Sequence, residues 1–208
     1  GKKHKKTRRA SQPAFKTDAL RTYVDMLNPI QSRRIDELKP DEEFIFYDNI
    51  QQTLMDVAAK VFIGLDETSA EAKMLHKIFE NINKGLITPV PYDLPFSTFR
   101  KALKSRESLR NFLVTKIPER RGTELEDMFS RYCNAKDEDE NYLEDVDIDG
   151  HMAFLLFAAF DTTTSALTNI LYFLGTHQDW QEKVRNEINS IDNAVSYTHL
   201  RAHETINH

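Results

Sequence analysis

The chain has 208 residues, 40% of them hydrophobic and 29% charged, with only 6 Gly and 7 Pro. That balance suits an α-rich globular chain able to bury a sizeable core, not a β-sandwich or a disordered tail. A formal net charge of −5 excludes a globally cationic nucleic-acid binder, and a single cysteine excludes an internal disulfide framework or a cysteine-clustered zinc site.

In chain order, residues 1–12 read as a cationic helix that Pro13 ends, because proline cannot donate to the helical ladder. Asp18 is placed as the N-cap of a second helix running towards Leu38, kinked near Pro29 and stopped by Pro40. Residues 49–63 carry Leu54, Val57, Ala58, Val61 and Phe62 at helical spacing, with Gly64 as the stop. Another helix is predicted over 69–84. Pro89, Pro91 and Pro95 then make 87–96 a stiff apolar loop. Helical spacing resumes over 99–117, and 124–133 reads as a short helix. The acidic stretch 137–149 is a solvated connection whose last aspartates suit the positive start of the next helix. That helix, over 148–175, is the longest and most apolar, and an amphipathic helix over 180–191 follows. The one strand candidate is a short edge at 44–47, so the expectation is an all-α fold built around one long central helix.

Residues 151–175 read HMAFLLFAAFDTTTSALTNILYFLG, long enough to span a membrane. Stepping about 100° per residue gathers Asp161, Thr162, Ser165, Thr168, Asn169 and Tyr172 into roughly a third of the circumference. Such a stripe is costly in lipid without partners, and a buried soluble helix explains it better. An acid beside an alcohol halfway along such a helix suits ordered proton delivery to bound dioxygen, and Ala158 and Ala159 one turn earlier leave room for a diatomic ligand.

The run Ala158–Thr163, A-A-F-D-T-T, resembles the oxygen-binding signature [A/G]-G-x-[D/E]-T-[T/S] of the cytochrome P-450 haem-thiolate monooxygenases, with Ala159 where glycine is usual. A second motif lies at the other end of the chain. Residues 1–15, G-x-x-H-x-x-x-R-R-x-x-x-P-A-F, resemble that family's W-x-x-x-R helix and the P-A-F segment after it, with His4 in the tryptophan position. The resemblance implies the mainly helical P-450 fold and a haem cofactor (heme, iron protoporphyrin IX). It implies that His4 and Arg8 hold the haem propionates, Arg8 through its planar fork. It makes Thr162 the alcohol and Asp161 the acid of proton delivery, with Ala158 and Ala159 beside the cofactor.

The Pro-rich loop 87–96 is placed like the family's loop over the substrate entrance. Together with Phe154, Phe157 and Ala158 on the central helix it implies a hydrophobic small-molecule substrate. The cations Lys2, Lys5, Lys6 and Arg9 fall on the face opposite His4 and Arg8, where the resemblance implies docking of an acidic ferredoxin or a flavoprotein reductase.

The family's iron ligand is a cysteine in an F-x-x-G-x-x-x-C-x-G loop, which this sequence lacks. Cys133, in S-R-Y-C-N-A-K ahead of the central helix, reads as an ordinary thiol, so no metal ligand is assigned. Residues 1–193 are therefore expected to be a partial P-450 domain, without its β-rich and cysteine-loop regions and inactive by itself. Residues 194–208 are expected to be a tail outside the fold, since V-S-Y-T-H-L-R-A-H-E-T at 195–205 resembles a translated sequencing adapter. Localisation is open, and cytoplasmic if the parent has no anchor. The alternative readings are a non-catalytic helical module that binds a partner through its basic helix, and a membrane helix bundle.

Overall fold

Short polar side chains start three of the helices in the computed structural model, which describes residues 12–39, 42–137 and 140–190. Ser69 Oγ accepts from the Ala72 N–H at 3.1 Å, Ser97 Oγ from the Arg100 N–H at 3.1 Å, and Asp127 Oδ1 from the Ser130 N–H at 2.9 Å. Each satisfies a backbone donor that the first helical turn leaves without a partner. The helices are α1 Thr17–Asp36, α2 Phe46–Val57, α3 Ala70–Leu86, α4 Thr98–Arg120, α5 Met128–Cys133, α6 Asp145–Thr176 and α7 Gln178–Ser190. A 3-10 turn, Gln12–Phe15, precedes α1, and a π-helical turn, Ala58–Phe62, extends α2. No strand forms among the described residues, where the only pairing of that kind is an isolated bridge between Lys136 and Tyr142. The all-α expectation holds.

The core is built from ridges spaced by four residues. Leu109, Leu113 and Ile117 of α4 face Ile148, Met152 and Leu156 of α6, with Phe129, Ile63 and Leu75 filling the space around them. Gly64 ends the α2 segment as its sequence predicts, at φ +73°, a conformation glycine adopts without steric cost. The loop 87–96 is irregular and exposed, with Ile87 85% and Phe96 94% accessible.

Five expectations need correction. Asp18 does not cap α1: the helix starts at Thr17 with Lys16 in the cap position and no side-chain cap bond, and Asp18 lies in the first turn, where the helix dipole favours it. Residues 44–47 form no edge strand, because no described strand lies beside them to pair with, and α2 begins at Phe46. The central helix begins at Asp145, not near Ile148, so Asp145 and Asp147 lie in its first turn, where the helix dipole favours them. Gly175 does not end it; α6 runs to Thr176, and the His177 N–H caps it by donating to the Phe173 carbonyl at 2.9 Å. The largest departure is exposure. The polar stripe of α6 is not buried: beyond Thr164, Ser165, Asn169 and Tyr172 are exposed together with Leu171 and Phe173. Periodicity identified the stripe correctly, but no described element covers that half of the helix. Among the described residues, α6 is the one helix long and apolar enough to cross a membrane.

Helices α3 and α4 pack tightly at Gly85, where a methyl group would stand 2.1 Å from the Ala102 Cβ. Neither atom belongs to a side chain that can swing away. Gly85→Ala is therefore expected to destabilise the chain by about 1–3 kcal/mol through overpacking, despite the ~1 kcal/mol that alanine gains in helix propensity. Chemical denaturation checks this, and an unchanged or raised midpoint would mean that the two helices part freely.

Candidate active site on helix α6

Phe160 and Thr164 continue the buried ridge of α6, so the residues between them turn to other sides of the helix. Ala158 and Thr162, four apart, share the side opposite Phe160. The Thr162 hydroxyl donates to the Ala158 carbonyl at 2.7 Å. This bond to the preceding turn fixes the side-chain rotamer and leaves the hydroxyl oxygen free to accept. Thr164 and Thr168 make the same bond, to the Phe160 and Thr164 carbonyls at 2.8 and 2.7 Å. Thr162 is exposed, while Ala158 and Ala159 are half-buried. This side of α6 thus offers small side chains and one hydroxyl.

Asp161 turns towards α3 instead. Its Oδ1 accepts from Asn83 Nδ2 at 3.2 Å, a contact between residues 78 apart in sequence. Partial burial raises its pKa from the ordinary 3.8. Asp161 and Asn83 line a cavity of about 690 Å³ between α2, α3 and α6, together with Gln51, His76, Glu80 and Ser165. Asn83 was missed at the sequence level. The polar stripe of His76, Glu80, Asn83 and Lys84 along α3 follows helical spacing, but that pattern does not single out Asn83; its bond to Asp161 does.

The raised pKa has a thermodynamic consequence. Between 3.8 and the higher folded value, the unfolded chain has released the Asp161 proton and the folded chain has not, so stability falls as pH rises through that window. Asp161→Asn removes the effect while keeping an acceptor for Asn83. The variant is expected to gain stability relative to the parent as pH rises from 3 to 7. A gain that does not vary with pH would contradict the shift.

Phe154 and Phe157 face a different cavity, of about 770 Å³, lined also by Phe79, Ile82, Leu103 and Arg106. The aromatic pair and the Asp161 carboxylate therefore do not share a cavity, and Ala158, Ala159 and Thr162 line neither of these two. Cys133 is fully buried in α5, and burial pushes its thiol up to about 12. His4 and Arg8, with Lys2, Lys5, Lys6 and Arg9, lie outside the described residues, as does the tail 194–208.

An all-α chain whose long central helix carries an acid–alcohol step beside paired alanines has clear relatives. The Cytochrome P450 family model matches residues 1–203. Cytochrome P450 136 of Mycobacterium tuberculosis is 32% identical over 189 residues, covering 86% of this chain and 37% of the relative. Cytochrome P450 120 of Synechocystis is 28% identical over 193 residues, covering 92% of this chain and 43% of the relative. A solved structure described as retinoic acid bound cyanobacterial CYP120A1 superposes with a TM-score of 0.80 at 28% identity, over 94% of this chain and 45% of that one. The chain belongs to the cytochrome P450 family, and it spans less than half the length of these relatives.

Proposed function

We propose that this chain is the dioxygen-handling part of a haem monooxygenase that inserts one oxygen atom into a hydrophobic small molecule. The observation that carries the reading is the side of α6 on which Ala158 and Thr162 lie four residues apart, beside Ala159. Its short side chains suit a flat ring laid against the helix, and the Thr162 hydroxyl projects from the same side. Haem, when bound, supplies the activation of dioxygen. The described residues fit one side of that group only. Cys133, buried and held protonated, is no thiolate donor, and the chain as it stands is proposed to be inactive alone.

Each residue then has a separate task. Ala158 and Ala159 keep the helix surface low enough for a small ligand. Thr162, its proton committed to the Ala158 carbonyl, accepts a hydrogen bond from water and so fixes a water molecule beside the reacting centre. Asp161 exchanges protons with solvent, and its raised pKa brings it nearer to working pH than an ordinary aspartate. His4 and Arg8 are proposed to hold the propionates, and Lys2, Lys5, Lys6 and Arg9 to meet an acidic ferredoxin or flavoprotein reductase. Phe154, Phe157 and the exposed apolar loop 87–96 are proposed to guide the substrate. The relatives include a taxane 13-alpha-hydroxylase of Taxus cuspidata, 27% identical, and a beta-amyrin 28-monooxygenase of Panax ginseng, 27% identical, named for taxane and for beta-amyrin.

The test is spectroscopic. Reduced full-length protein loaded with haem and treated with carbon monoxide is expected to give a thiolate-type spectrum and to oxidise apolar test compounds. A histidine-type spectrum with no oxidation would favour the non-catalytic helical module instead.

A further inference from the structure

Among the described residues, the Asp161 carboxylate accepts from one side chain, and it comes from another helix. Asn83 stands near the end of α3, half-buried, and its amide is a neutral donor that cannot itself carry away a proton at working pH. Resting on the monooxygenase reading, we propose that Asn83 is a positioning residue for proton delivery. By donating to Asp161 across the α3–α6 interface it turns the carboxylate towards the polar cavity between α2, α3 and α6, and protons enter the site from that cavity.

The surroundings support that direction. The titratable groups around the cavity are Tyr47 of α2 and His76, Glu80 and Lys84 of α3, while α6 adds the neutral Ser165. Glu80 is held at about 2 by hydrogen bonds from Lys77 and Lys84, so it stays anionic and paired and does not relay protons near neutral pH. Burial lowers the pKa of His76, against the attraction of Asp56. These groups leave water as the proton source that faces Asp161 directly, in a cavity of about 690 Å³ with room for many water molecules.

The proton balance is simple. A hydronium in the cavity gives its proton to the Asp161 carboxylate and becomes water; Asn83 releases the neutral acid more readily than the anion, because a carboxylate is the stronger acceptor. The acid then rotates about its Cα–Cβ bond towards the Thr162 side and passes the proton to the water held there. The regenerated carboxylate returns to Asn83. Thr162, bonded along its own helix to Ala158, needs no contact with Asp161 in the first half of this cycle.

The test compares Asn83→Leu, which removes the donor at similar size, with Asn83→Gln, which keeps it. Asn83 is only half-buried, so both variants should fold. In the chain itself, a carboxyl-detected NMR titration should show Asp161 titrating higher in Asn83→Leu than in the parent, with Asn83→Gln close to the parent. In the haem-loaded full-length protein, Asn83→Leu should lower turnover roughly tenfold with KM unchanged, and the loss should vanish in an Asp161→Asn background. An Asp161 titration and a turnover that both ignore Asn83→Leu would overturn the proposal. If Thr162→Ala still disturbs product formation in that case, only the role of Asn83 falls. If neither substitution has any effect, the monooxygenase reading falls with it.

Discussion

Asp127→Ala is expected to destabilise the chain by about 3–5 kcal/mol, the range for removing one partner of a buried ion pair. Asp127 and Arg120 have side chains only 3% and 11% exposed, and Arg120 Nη1 donates to Asp127 Oδ2 at 2.9 Å. The same guanidinium donates to Ser130 Oγ at 3.1 Å and, through Nη2, to the Ile63 carbonyl at 3.0 Å. One pair thus ties the end of α4 to the start of α5 and to the turn after α2. Asp127 also caps α5, and a methyl group on Gly64 would stand 2.5 Å from its Oδ2. Truncation leaves a buried guanidinium without its counter-charge and a first helical turn without its cap. Against a typical domain stability of roughly 5–15 kcal/mol, that loss is large enough to populate unfolded chain. Asp127→Asn keeps an acceptor for the Ser130 N–H and should lose clearly less. Urea unfolding of both variants checks the ordering, and a loss below about 1 kcal/mol for Asp127→Ala would show that the pair contributes little.

The second large effect concerns chemistry. In the haem-loaded full-length protein, Thr162→Ala is expected to cut product formed per NAD(P)H consumed by about tenfold or more, the scale of losing one positioned proton-transfer group. Without the hydroxyl, water near the reacting centre has no fixed acceptor, and reduced dioxygen leaves as hydrogen peroxide in place of donating an atom to substrate. Thr162→Ser keeps the oxygen and the bond to Ala158 and should keep most of the coupling. Product and peroxide measured together decide the matter. Tight coupling in Thr162→Ala would remove Thr162 from the mechanism.

Much of the fold could be read from local chemistry. Gly64 stopped the α2 segment, because a left-handed glycine acts within a few residues of itself. The acid–alcohol step was legible for the same reason, since Ala158 to Thr163 are adjacent in sequence. Asn83 was not, because its bond to Asp161 depends on how α3 lies against α6 rather than on any local pattern. The expected burial of the α6 stripe failed for a related reason. Helical spacing tells which residues share a face but not what covers it, and past Thr164 no described element does. For the same reason, helical spacing does not give the placement of Phe154 and Phe157, which line the cavity beside α4 and not the one that Asp161 lines.

The central claim is that the Ala158–Thr162 side of α6 lies against haem. Paramagnetic broadening of methyl signals in the full-length ferric protein, compared with a diamagnetic porphyrin control, tests it most directly. The methyl groups of Ala158, Ala159 and Thr162 should be broadened strongly, and those of Met152, Leu156 and Thr164 on the buried ridge much less. Strongest broadening at Met152 and Leu156, with Ala158 and Thr162 unaffected, would put the cofactor elsewhere and contradict the account.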